Sequence, residues 1–148
     1  MWPATDYVRL LSLDPDLIKT VEADREFFHQ LHPDLTLTNI FIGSRFEPEG
    51  TIFGALWFLT PTLLCVVPDF AATRERQYTI LSIRNIRNLS LRVRNLDPPD
   101  FNTATDSTRL DVQFQTPTAV SSMGAVGQNC KQLYEATKRF LVPHLASD

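Results

Sequence analysis

Between Thr51 and Val93 the chain alternates strand-length apolar runs with short polar breaks: TIFGALWFLT, then PTLLCVVPDF, then an arginine-rich interval, then YTILSIRNIRNLSLRV. Runs of this length, rich in β-branched and aromatic residues and bounded by turn residues, read as strands rather than helices. Successive strands joined by short turns pair antiparallel in a meander. A strongly bent antiparallel sheet laid out in chain order is therefore expected. Residues 51–59 and 63–67 are nearly continuous in apolar character, which predicts that both faces of those strands are covered.

The flanks supply helices. Asp14-Pro15 is a helix start, Asp as N-cap and Pro at the first helical position. Leu17, Ile18, Val21, Phe28 and Leu31 follow at helical spacing, and His32-Pro33 ends the run, predicting a helix over 15–31. Residues 35–46 alternate as a strand, and Glu47-Pro48-Glu49-Gly50 is a turn. Further strands are expected over 78–83 and 88–94, bent or broken near Asn85. Leu89, Leu91 and Val93 should face the core, with Ser90, Arg92 and Arg94 in water. The interval Asn95–Thr108 reads as a long loop, a functional or mobile segment. Residues 109–115 alternate again with Leu110, Val112 and Phe114 inward, and 116–125 hold at most one weak strand. Val126, Cys130, Leu133, Tyr134, Thr137 and Leu141 form one helical stripe, which Pro143 stops. The expected architecture is α+β and mainly β: a small bent antiparallel barrel or sandwich with an amino-terminal helix and a carboxy-terminal capping helix. Residues 1–34 form a helical extension packed on a β domain at 35–148.

With 43% apolar and 21% charged residues, the composition is that of a globular chain. The net charge is −3, which gives no general attraction to nucleic acid or anionic membrane. The charge is unevenly spread: residues 1–50 hold nine acids against four bases, whereas 74–94 hold six arginines and one acid. The first residues carry acids where a secretory leader carries bases, and no apolar run reaches about 18 residues. An intracellular, reducing setting, cytoplasmic or nuclear, is the expectation. Cys65 and Cys130, far apart and each inside an apolar pattern, read as small buried hydrophobes.

Chemistry-bearing motifs are sparse. His29 and His32 stand three apart with Glu26 one turn earlier, but a metal needs three or four ligands and His144 is distant in sequence. No nucleophile elbow, phosphate loop or HExxH motif occurs, so no catalytic residue, metal or cofactor is expected. The candidates for recognition are Arg74, Arg76, Arg84, Arg87, Arg92 and Arg94, whose planar guanidinium suits phosphate or carboxylate. The bland reading has them paired with Asp69, Glu75 or the acidic first helix. Trp57, Phe58 and Leu63 are candidate apolar interface residues, with the core as their default.

Two resemblances follow. Gly54-Ala-Leu-Trp-Phe-Leu-Thr60, the turn at Pro61-Thr62, the strand Leu63-Leu-Cys-Val-Val67 and Ile80-Leu-Ser-Ile-Arg-Asn-Ile86, with a helix over 127–141, resemble the pleckstrin-homology-like superfamily and its GRAM branch. That resemblance covers roughly residues 36–142 and implies a barrel closed by one helix that binds proteins or anionic lipid. An amino-terminal helix, Gly54-Ala-Leu56 and Ile83-Arg84-Asn85 also look like the Sm-like family. There Thr60 stands near the place of the usual Asp, Asn85 stands for the usual Gly, and about fifty residues follow position 95. That likeness implies a subunit of a ribonucleoprotein assembly whose edge strands, 63–67 and 88–94, pair with neighbouring subunits. The functional expectation is a non-catalytic interaction module, a subunit or adaptor in a larger homo- or hetero-oligomeric assembly. A protein is its expected partner, with RNA and anionic lipid as alternatives.

Overall fold

The computed structural model describes residues 7, 11, 15–47, 50–69, 74–97 and 100–145, with the side chains of 45–52 set aside. The fold is α+β and mainly β, with two antiparallel sheets. The first sheet has the order β1 (Asn39–Glu47), β2 (Gly50–Leu59), β3 (Leu63–Val67) and β4 (Thr79–Ser82). The second has the order β5 (Asn88–Arg94), β6 (Arg109–Thr116) and β7 (Ala119–Val126). Helix α1 spans Pro15–Leu31, the range its apolar spacing predicts. The proposed Asp14 cap lies outside the described residues.

Strand β2 shows why the apolar runs are continuous. Its side chains alternate between two covered faces. Phe58 points to α1, where it meets Phe28 edge-on with ring centroids 5.9 Å apart. Trp57 points to the second sheet, its ring 6.3 Å from that of Phe114. Helix α1, the first sheet and the second sheet therefore stack as layers, with buried side chains on both sides of the first sheet.

The strand of 35–46 begins later, at Asn39, and a register shift between Ile42 and Ser44 bulges β1 at Gly43. The weak strand of 116–125 is a full ladder partner of β6, from Thr116↔Ala119 to Arg109↔Val126. Its small polar residues hide it from a hydrophobic reading. The carboxy-terminal helical run starts at Asn129, because Val126 belongs to β7. The run comprises α2 (Asn129–Ala136), a π-helical turn (Thr137–Leu141) and a 3-10 turn (Val142–His144). The α and π part of the run ends at Leu141, as expected ahead of Pro143, which falls in the closing 3-10 turn where its missing N–H is tolerated.

Helix α2 packs on β1, β6 and β7 and takes over the hydrogen bonds that the bulge leaves open. Asn129 Nδ2 donates to the Ile42 carbonyl (2.8 Å) and to Ser44 Oγ (2.8 Å), and Gln132 Nε2 donates to the Ile40 carbonyl (3.1 Å). The Tyr7 hydroxyl accepts from the Ile42 N–H (2.8 Å) and donates to Asn129 Oδ1 (2.6 Å). Ser44 Oγ in turn accepts the Val126 N–H at 3.1 Å, linking β1 to the end of β7. Side chains thus join the two sheets at this seam, and no closed barrel forms among the described residues.

The break near Asn85 is a change of sheet. Residues 83–86 turn between β4 in the first sheet and β5 in the second, so each of those two strands ends its sheet. The interval 95–108 is not featureless. It contains a 3-10 turn, Phe101–Thr103, whose buried Phe101 stacks on Tyr134 of α2 with centroids 4.8 Å apart.

Candidate binding surfaces: an open strand edge and a glycine-lined groove

The six candidate arginines do not form one cluster. Arg76 is engaged within the fold: its Nε donates to Asp24 Oδ1 at 3.2 Å and its Nη2 to Asp24 Oδ2, while the Tyr78 hydroxyl donates to Asp24 Oδ1 at 2.8 Å. Asp24 is 1% exposed on α1, so this trio clasps the helix to the segment leading into β4. Phe27 stacks on Tyr78 at 4.0 Å and completes the contact. Burial and the hydrogen bond to Asp24 both hold the Tyr78 phenol above its ordinary value.

Arg74, Arg84 and Arg87 are exposed on the β3–β4 loop and on the turn before β5. Arg92 and Arg94 stand on β5 opposite Asp111 and Arg109 of β6, and Arg94 Nη2 lies 3.7 Å from Asp111 Oδ2. With both partners about half exposed, that ion pair contributes roughly 0–1 kcal/mol.

Trp57 and Phe58 are corrected as interface residues: they are 4% and 0% exposed and belong to the core on opposite faces of β2. Leu63 is partly exposed at the start of β3. Strand β3 is hydrogen-bonded on both sides, to β2 and β4, so it has no free edge for a neighbouring subunit.

Strand β5 differs. Its ladder runs only to β6, from Asn88↔Gln115 to Arg94↔Arg109, and no other described backbone group bonds to it. The expected burial of Leu91 and Val93 is also corrected. They share the core-facing side with Val112 and Leu110, but at the sheet rim they remain 39% and 37% exposed. An edge strand of seven residues with two half-open aliphatic side chains is a template for pairing, guarded here by the flanking charges of Arg92 and Arg94.

A second feature was not legible from spacing. Where β1 and β2 approach β6 and β7 lies an open groove of about 620 Å³, lined by Gly43, Ser44, Phe53, Gly54, Ala55, Trp57, Pro68, Asp69, Asp111, Ser122, Met123 and Gly124. Ser44 is committed to the seam described above. Of the buried side-chain polar atoms described, only the Trp57 Nε1–H has no hydrogen-bond partner. Leaving such a donor unmet costs roughly 1–3 kcal/mol.

Cys65 and Cys130 are free and buried, and burial raises both thiols from 9.0 to about 11. His29 and His32 are exposed, and no three His, Cys, Asp or Glu gather in a metal-holding group among the described residues. No described helix is long and apolar enough to cross a membrane. Comparison with family models, with curated proteins and with solved structures returns no match.

Proposed function

We propose that this chain is a non-catalytic protein-interaction module of the pleckstrin-homology-like kind, a subunit or adaptor that takes a partner along the edge of β5. The observation that carries this reading is the unpaired edge of β5 with Leu91 and Val93 half exposed. A partner strand laid there satisfies the free backbone groups and covers the two aliphatic side chains. Arg92 and Arg94, on the opposite face, favour a partner with acidic side chains in register and set the rate of encounter. The pleckstrin-like assignment is supported by the four-plus-three strand order and by the helical run after β7. A five-stranded Sm-like reading leaves two strands and that helix without a counterpart.

The test is affinity purification of the tagged full chain beside its Leu91→Glu and Val93→Glu variants. Both side chains are already partly in water, so the melting temperature should move by no more than about 4 °C. Recovery of the protein partners should fall at least about tenfold, the equivalent of about 1.4 kcal/mol. Unchanged recovery overturns the β5 reading. A wild-type eluate dominated by RNA or anionic lipid instead favours the Sm-like or the lipid-binding reading.

A further inference from the structure

The groove is the other recognition feature of the molecule. Its lining takes no residue from β5, and Asp111 of β6 is its link to that strand, opposite Arg92 and paired with Arg94. Three of its lining positions are glycines within strands: Gly43, Gly54 and Gly124. None has the positive φ that demands glycine, and a Cβ would meet nothing within 4 Å at Gly54 and only ordinary contacts at Gly43. At Gly124 the nearest atom is Asp111 Oδ1 at 3.3 Å, the end of a side chain free to shift. Glycine in a strand interior marks a bulge or a place that another backbone approaches closely. Gly43 is buried at the β1 bulge against the backbone of Ala55 and Gly124, and Gly124 faces Ser44 across the seam. The exposed Gly54 is the one that leaves bare backbone open to an incoming chain.

The polar groups indicate what approaches. Trp57 lines the groove, and its Nε1–H lacks an acceptor. Asp69 is exposed at the end of β3, and no described side chain bonds to it. Asp111 stands opposite Arg92 of β5, and its ion pair among the described residues is the long, half-exposed contact to Arg94, which an incoming cation readily replaces. The groove therefore offers two exposed carboxylates, the exposed Ser122 hydroxyl and the bare backbone of Gly54, with the unmet Trp57 Nε1–H buried in its wall. Its volume lies within the roughly 300–1,000 Å³ of ligand sites, but it is an open channel rather than an enclosed cavity.

We propose that this groove binds an extended peptide segment of a partner protein that carries a lysine or arginine. The peptide backbone lies over Gly54, one of its carbonyls reaches the Trp57 Nε1–H after a turn of the indole, and its cationic side chain sits between Asp69 and Asp111.

The test selects a random phage-displayed peptide library against the full chain and measures the enriched peptides by fluorescence anisotropy. The enriched sequences should share a basic residue. Affinity should fall at least about tenfold in Asp69→Lys, which reverses the charge, and in Ser122→Trp, which fills the groove from an exposed position. Thermal melts of both variants should match wild type. The Trp57 indole N–H resonance should shift when the peptide binds. The proposal is overturned if no sequence enriches over a Ser122→Trp control, if the enriched peptides are acidic, or if the indole resonance stays in place. It is also overturned in favour of a small organic cation if n-butylamine shifts that resonance as far as the peptide does. Binding lost in Leu91→Glu but kept in Ser122→Trp places the peptide on β5, which sinks the groove proposal and leaves the interaction module standing.

Discussion

Asp24 shows how a single carboxylate decides whether an arginine is available. It is buried on α1 and satisfied by Arg76 and Tyr78, residues more than fifty positions away. Removing it leaves a guanidinium and a phenol without their acceptor. Asp24→Ala should therefore cost about 3 kcal/mol in urea unfolding, while Arg84→Ala, on an exposed turn, should cost under about 0.5 kcal/mol. Equal losses would contradict the clasp. The sequence presents Arg76 and Arg84 as equivalent, because nothing local to either reveals a partner contributed by another element. The cysteines are different: an apolar neighbourhood is visible in sequence, and both are buried. Their thiols, raised by burial, stay protonated in the fold and ionise on unfolding, and Tyr78 is raised in the same direction. Stability from these groups is complete below 9.0 and is lost as pH climbs towards about 11. The urea midpoint should accordingly fall between about pH 8 and about pH 10.5. A flat or rising midpoint would contradict their burial.

Elements whose pattern is strong locally were legible, and those defined by their neighbours were not. Helix α1 and strands β2, β3 and β6 follow from apolar spacing alone, because each buries a regular face. Strand β7 escaped a hydrophobic reading because ladder bonds to β6 define it, not side-chain greasiness. Strand β5 has a well-formed alternation, yet its apolar side is left at the rim, since periodicity cannot say whether a strand is central or at an edge. Helix α2 carries the opposite lesson: its stripe was legible, and Leu133 is fully buried. Leu133→Asp places a charge among apolar neighbours and should cost about 4 kcal/mol or abolish folding, read as a lost or lowered thermal transition. An unchanged melt would detach α2 from the core.

At the scale of the whole molecule, two sheets meet along a seam built by Tyr7, Ser44, Asn129 and Gln132, and among the described residues no strand pairs with the outer edges of β4 and β5. The meander order was legible because short turns leave few alternatives. The break near Asn85 marked where the two sheets divide, but the groove between β1 and β7 was not legible, since it depends on how the sheets cross. The acidic amino-terminal half and the arginine-rich segment are joined at one point by the Asp24–Arg76 clasp, while Arg92 and Arg94 are left on the open strand. On the reading we propose, β5 is an edge that takes a partner strand. Amide hydrogen exchange across residues 88–94, in the isolated chain and in its partner complex, tests it most directly. Every second amide of β5 should exchange rapidly alone and slow at least about tenfold in the complex, as the free side of the ladder pairs. Full protection of β5 in the isolated chain, or complex formation that leaves β5 unchanged while protecting another strand, would contradict the account.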